Sequence, residues 1–419
     1  MKKNKISSSL VTLMGGTLVA QTLPIVASPI LTRIYTPDDY GVLAIYAAIL
    51  SIISVFSLLR YELAIPQTDK DVDALALVHL SICICLILTF FCFCIIASGG
   101  HSFAAFIGLE KDSKILYLLP LGFFINGMIK LARYWFLKKE NYKQMSAISI
   151  TQSFGTSTGQ VLLGYSSFFY GLVWGQIFGL ILASAYVSKQ LLRSFKIFVI
   201  TAGDLKNIYR MMIKYRKLPI YSSVGALADS FSLHLPMFAI NKIFGNSILG
   251  SFSFTFKVLN LPLSALSQSL SQIVFQKVCV FANEAPEKIS PFLLKTSFWL
   301  LCLSTPFTLC FLFFGRPIFS FIFGQDWADA GEMASILVLA VSFRFCVSPL
   351  SGVLALEKNV KWGTYWQLTY VITIATTLFV SRHLDFQLFL IVFLMHEIVL
   401  YTAYFILILI CANKLNEKY

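Results

Sequence analysis

Apolar residues gather along this chain in twelve windows, at roughly 10–32, 41–64, 74–97, 114–137, 144–165, 168–188, 218–241, 248–276, 293–315, 332–356, 361–381 and 386–411. Each is long enough to cross a hydrocarbon layer about 30 Å thick as a helix, so the pattern predicts about twelve transmembrane helices. The fifth window is the weakest. It carries Thr151-Gln152-Ser153 and Thr156-Ser157-Thr158-Gly159-Gln160, and a helix of that kind must face protein or water rather than lipid. The chain opens Met1-Lys2-Lys3-Asn4-Lys5 and then turns apolar from Leu10 to Leu31. That stretch exceeds the roughly 7–15 residues of a signal-peptide core and no small-residue cleavage site follows, so we read it as a retained first helix with its N-terminus inside.

The pattern repeats at half-length. Arg33-Ile34-Tyr35 with Tyr40-Gly41 matches Lys242-Ile243-Phe244 with Leu249-Gly250 at a constant offset of 209 residues, and Asn141-Tyr142-Lys143 matches Asn359-Val360-Lys361 at 218. The two echoes, in the same order, favour two six-helix halves. An even number of helices per half gives both the same orientation, with the pseudo-two-fold axis along the membrane normal. The expected organisation is an N-terminal bundle over 1–188, a basic cytoplasmic linker over 189–217 and a C-terminal bundle over 218–419. Prolines fall within the windows: Pro24 and Pro29 in the first, Pro120 in the fourth, Pro236 in the seventh, Pro262, Pro306 and Pro349 in the eighth, ninth and tenth. Those in the first helix of each half suggest paired bending elements, or only the general abundance of proline in membrane helices.

Composition sharpens this picture. Apolar residues make up 57% and charged residues 13%, against about 25% charged in soluble domains, which excludes an ordinary soluble enzyme. The net charge of +13 would suggest nucleic acid in a soluble domain, but here the basic residues lie mostly in loops. With the N-terminus inside, 22 basic residues fall in inside segments, Lys358, Lys414 and Lys418 among them, and 6 fall outside. That bias places both termini in the cytoplasm and predicts contact with anionic lipid rather than nucleic acid. Nearly all nine cysteines lie in apolar windows. Cys83 and Cys85, like Cys92 and Cys94, are two apart and so point to different helix faces, and the set does not converge on one metal.

Ionisable residues within the windows are the sharpest functional signal, because each costs about 2.5–3.5 kcal/mol at a helix centre unless it faces a cavity or a partner. The basic ones are Arg60, Lys130, Arg133, Lys257 and Arg344; the acidic ones are Glu62, Asp229 and Glu397. Arg344, Glu397, Asp229 and Lys257 lie deep. Arg60, Lys130 and Arg133 lie nearer the cytoplasmic side and can snorkel. Lys130 and Arg133 share a helix face that suits an anionic group. Arg33 marks the outer end of the first helix. These groups form either substrate contacts or structural ion pairs. His234 and His396 are proton-relay candidates or hydrogen-bonded structural residues. The cationic excess argues for an anionic, amphipathic cargo such as a lipid phosphate. The chain has no Gly-Lys pair, hence no phosphate-binding loop, and no zinc-protease motif or nucleophile elbow. The outside loops are short, the longest about 98–113, so the remaining class is a secondary transporter or channel.

Gly16-Thr17-Leu18-Val19-Ala20-Gln21, Leu31 through Gly41, Arg60-Tyr61-Glu62-Leu63-Ala64-Ile65-Pro66, Arg133-Tyr134-Trp135, Tyr215 through Ser222 and Gly250 through Leu263 resemble bacterial polysaccharide-biosynthesis exporters of the O-antigen flippase type. Lys257 stands where a related pattern has an Arg. These exporters belong to the multidrug/oligosaccharidyl-lipid/polysaccharide exporter superfamily. The resemblance implies an all-α polytopic membrane protein with two six-helix bundles around a central cavity, like multidrug-and-toxin extruders. It also implies a flippase, not an enzyme, that moves undecaprenyl-diphosphate-linked oligosaccharide across the inner membrane by alternating access. It needs no cofactor, takes proton or sodium coupling in some members, and has a glycan polymerase and chain-length proteins as associates. On this reading Lys257, Arg344, Lys130, Arg133, Arg33 and Arg60 attract the diphosphate and glycan. Asp229, Glu397 and Glu62 couple ions or balance charge. The rivals are an ion-coupled drug or cation exporter of the same fold, which a basic cavity disfavours, and a non-transporting subunit or polymerase of the pathway.

Overall fold

The structure is a computed structural model, and it describes residues 2–194, 202–356 and 359–416. Among these there are helices and turns but no strand. Twelve helices have 18 residues or more: α1 (Lys2–Ile34), α2 (Pro37–Ser54), α3 (Asp71–Ile107), α4 (Leu119–Lys138), α5 (Tyr142–Tyr165), α6 (Gly171–Ser194), then, after a shorter α7 (Ala202–Lys214), α8 (Ser223–Phe244), α9 (Asn246–Glu284), α10 (Ile289–Phe323), α11 (Ala328–Val347), α12 (Val360–Val380) and α13 (Phe386–Asn416). Every apolar window therefore holds a helix. Among the described residues nine helices are long and apolar enough to cross a membrane. α5, α9 and α12 are not among the nine, and each is rich in Ser, Thr or Gln.

Two sequence expectations change. The segment from residue 98 is no loop: α3 runs on to Ile107, and Gly108 stops it in the left-handed region (φ 79°) by donating its amide back to Ala104 and Ala105. At 37 residues, α3 is about 55 Å long and outruns the hydrocarbon layer. The basic segment 189–217 contains the end of α6 and the whole of α7. Its part 195–201, with Lys196, lies outside the described residues, as do Lys358 and Lys418. Pro120 sits in the first turn of α4, where a missing N–H is harmless, and Pro349 follows the end of α11 in a 3-10 segment. Pro24, Pro29, Pro236, Pro262 and Pro306 lie inside helices.

The chain divides into two compact units. The first comprises Met1–Tyr35 and Val42–His234, the second Thr36–Gly41 and Leu235–Tyr419. In the first unit, α5 packs against α6 through small residues. A Cβ on Gly155 would press on Gly179, and one on Gly159 on Gly175, so the two backbones come close enough to exclude any larger side chain.

In the second unit, the short strap Thr36–Gly41 meets the start of α9. Thr36 and Asp39 form a capping box at the head of α2: the Thr36 amide donates to Asp39 Oδ2 (2.9 Å), and the Asp39 amide to Thr36 Oγ1 (3.4 Å). Tyr40 then packs edge-on against Phe254 (5.2 Å) and the fully buried Trp327 (5.0 Å). Gly41 lies against the Asn246 backbone, and Gly250 against the Pro37 carbonyl and the Gly41 amide. Residues 37 and 246, like 41 and 250, are 209 apart. The sequence echo thus marks the segment Thr36–Gly41 and the start of α9, which meet within the second unit. The second echo marks equivalent helix starts: Asn141 precedes α5 and accepts from the Gln144 amide, and Asn359 precedes α12.

Candidate functional site

Among the described residues each unit buries one carboxylate within its apolar interior. In the first unit it is Glu62, fully buried, on a 3-10 turn (Tyr61–Gln67) between α2 and α3. The chain reaches that turn through Leu59 (φ 46°) and Arg60 (φ 64°), both in the left-handed region that non-glycine residues rarely adopt. Backbone strain of this kind persists only where the surroundings enforce it. Here it swings Arg60 and Glu62 together. Lys130 on α4 places Nζ 2.7 Å from Glu62 Oε1, and Arg60 Nη1 lies 3.9 Å from the same oxygen. Two cations therefore share one anion. Glu62 Oε2 and Arg60 Nε have no hydrogen-bond partner among the described residues.

Arg133 lies one turn beyond Lys130, but the structure gives the two different partners. Arg133 Nη2 donates to Gln152 Oε1 (3.1 Å) and Ser149 Oγ (3.4 Å) on α5. Both acceptors are neutral, so the guanidinium is held without being neutralised. The polar run of α5 thus acquires a role: it orients a cation. Further out, Lys139 pairs with Asp71 at 2.7 Å, and Lys138 donates to the Thr68 carbonyl.

In the second unit the buried carboxylate is Glu397 on α13. Tyr370 on α12 donates its hydroxyl to Glu397 Oε1 at 2.7 Å. His396 Nδ1 lies 3.4 Å from the same oxygen, and neither imidazole nitrogen makes a hydrogen bond among the described residues. Arg344 on α11 is half-buried, with its guanidinium 5.9 Å from the centre of the Tyr401 ring. Three helices thus bring a carboxylate, an imidazole, two phenols and a guanidinium into one neighbourhood.

The remaining residues stand apart from these clusters. Lys257 on α9 is exposed and makes no ion pair or hydrogen bond among the described residues. Asp229 on α8 and Arg33 at the end of α1 are likewise exposed and unpaired there. His234 is half-buried with Nδ1 unbonded. The α3 cysteines differ in setting: Cys85 is buried, Cys83 and Cys94 are exposed. No three His, Cys, Asp or Glu side chains converge on a metal-sized site among the described residues. Sequence reasoning missed Tyr370 and Tyr401, because tyrosines in apolar helices give no signal of their own until a carboxylate or cation is found beside them. It noted Gln152 and Ser153 as polar but did not link that stretch to Arg133.

The sequence pattern of the polysaccharide biosynthesis protein family matches residues 30–332, most of the chain. The chain belongs to that family. Among solved structures it is similar to an inward-facing multidrug resistance MATE family transporter of the MOP superfamily, at 13% identity and a TM-score of 0.74, covering 95% of this chain and 96% of that one. An outward-facing transporter of the same family and superfamily matches at 12% identity and a TM-score of 0.62, covering 97% and 96%. A MOP superfamily transporter from Pyrococcus furiosus Vc1, whose binding pocket of reverse polarity suggests a different function, matches at 14% identity and a TM-score of 0.61, covering 97% and 96%. No curated protein matches. At these identities the structural likeness establishes the fold, that of MATE transporters. The family and the fold together make this a multi-pass membrane protein of the exporter type, and both match transporters rather than enzymes.

Proposed function

We propose that this exporter is a flippase for undecaprenyl-diphosphate-linked oligosaccharide, an O-antigen or related surface-polysaccharide repeat unit. It works by alternating access in the bacterial inner membrane, with both termini in the cytoplasm. The observation that carries the reading is the uncompensated positive charge. Among the described residues Lys257 has no ion pair or hydrogen bond, Arg133 is held by neutral acceptors, and Lys130 and Arg60 share a single carboxylate. Burying a cation in a membrane without a counter-charge is unfavourable, and an anionic cargo supplies the missing charge. In this role Lys257 and Arg344 of the second unit, with Lys130, Arg133, Arg60 and Arg33 of the first, attract the diphosphate and the glycan. Glu62 holds Lys130 and Arg60 in place.

The Glu397–Tyr370–His396 group is suited to take up a proton, and Asp229, exposed and unpaired among the described residues, offers a second acidic site for a proton or sodium ion. A drug-exporting role draws support from the multidrug transporters of the same fold. A cationic drug, however, is repelled by this charge distribution, and the reverse pocket polarity of the Pyrococcus transporter, which suggests a different function for it, is a precedent for departure from drug export on the fold. A glycan polymerase and chain-length proteins are the expected associates. The test is mass spectrometry of lipid extracts from host cells that lack this protein and any redundant flippase but keep the glycosyltransferases. Accumulated undecaprenyl-diphosphate oligosaccharide, cleared on re-expression, supports the reading. Absence of that lipid refutes it.

A further inference from the structure

The short helix α7 has two unlike faces. Its inner face is fixed to the first turn of α3 and to the turn before it. Met211 is buried, Arg210 Nη2 lies 2.7 Å from Asp73 Oδ1, Asn207 Nδ2 donates to the Val72 carbonyl (3.3 Å), and Tyr61 donates its hydroxyl to the Met212 carbonyl (3.2 Å). The opposite side carries Leu205, Tyr209 and Ile213, which are 62%, 62% and 44% exposed. Their spacing of four makes one continuous apolar ridge. Beside it stand Lys206 and Lys214, followed by Arg216 and Lys217, all exposed and free of ion pairs among the described residues. Between residues 202 and 217 there are five Lys or Arg and one acid, Asp204.

We propose that α7 is an interfacial helix that binds the anionic headgroups of the cytoplasmic leaflet. Its ridge enters the boundary of the acyl layer, and its unpaired cations lie among the phosphates. Depth supports this occupant. α7 is pinned beside Val72 and Asp73, at the start of a helix long and apolar enough to cross a membrane, and in this proposal its ridge lies at the bilayer surface there. Charge supports it as well. A second copy of this basic face repels the first, whereas a neutral surface leaves four cations unmatched. The segment is therefore more than a covalent tether. It anchors the first unit to lipid of one charge, whatever the cargo is.

The test uses the full chain with its nine cysteines replaced by Ala or Ser and a spin label at Tyr209→Cys, reconstituted in nanodiscs. One set holds phosphatidylcholine alone, the other includes one quarter phosphatidylglycerol. Collision with lipid-soluble oxygen, relative to a water-soluble nickel chelate, should rise at least about fivefold in the anionic discs. Replacing Lys206, Lys214, Arg216 and Lys217 with Glu should abolish the rise. A label at Leu205→Cys repeats the measurement at a second exposed site, and helical content with monodisperse elution confirms folding. Equal accessibility in both lipids, whether wet or apolar, overturns the proposal.

Discussion

Glu62 is the residue whose removal has the most calculable consequence. The variant Glu62→Gln keeps the shape and removes the charge, leaving Lys130 and Arg60 facing each other across a neutral amide. At an effective dielectric near 20, a pair of unit charges at the 2.7 Å of Lys130 attracts by about 6 kcal/mol, and one at the 3.9 Å of Arg60 by about 4 kcal/mol. Most of this gross attraction offsets the desolvation of the three groups. Breaking a buried pair typically costs about 3–5 kcal/mol. The lower end applies, because the cation side chains keep 25% and 20% exposure and relax toward water once freed. A loss of about 3 kcal/mol in a unit of this size lowers the melting temperature by about 6–12 °C. The assay is loss of monodisperse protein on heating in detergent, followed by size-exclusion chromatography. The double variant Glu62→Gln/Lys130→Met, which removes both members of the closer pair, should recover at least half of the loss. A single variant melting within about 2 °C of the parent, or a double variant less stable than the single, refutes the claim that Glu62 holds the two cations.

Lys257→Met should leave the melting temperature unchanged or raise it, since the lysine has no partner to lose, while surface-glycan rescue in a deletion strain falls at least about tenfold; Lys257→Arg should retain most of it. Gly250→Val should destabilise by about 3 kcal/mol or more, because its side chain meets the Pro37 carbonyl and the Gly41 amide, backbone groups that cannot move aside; thermal unfolding reads this. Tyr370→Phe removes the hydroxyl that donates to the buried Glu397, so a loss of about 1–3 kcal/mol is expected, visible as a lower melting temperature.

Much of the architecture can be read in the chain. Every apolar window holds a long helix, and among the described residues nine of these are apolar enough to cross a membrane, since partition into hydrocarbon depends mainly on composition over about 20 residues. The half-length echo located the strap Thr36–Gly41 and the start of α9, which touch within the second unit, because Gly41 and Gly250 are needed where two backbones cross so closely. What hydropathy misses is where a helix ends outside the layer. α3 continues past Gly99 and Gly100, within the segment read as an outside loop, because glycine in a helix costs only about 1 kcal/mol and the flanking residues outweigh it. α7 was invisible because a helix half apolar and half basic averages to a polar linker. In the clusters, sequence supplied the charged residues but not their partners. Lys130 and Arg133 share a face on paper, yet one turns to a 3-10 segment and the other to α5, and those neighbours come from tertiary packing alone.

The central claim is that this chain moves an anionic lipid-linked glycan. It is tested most directly with purified protein in proteoliposomes containing tritium-labelled undecaprenyl-diphosphate oligosaccharide, with a membrane-impermeant glycosidase reporting the fraction of glycan exposed outside. Wild-type protein should render nearly all of the glycan cleavable. Vesicles holding Lys257→Glu, or no protein, should stop at the outer-leaflet half. Equal cleavage with and without wild-type protein contradicts the account.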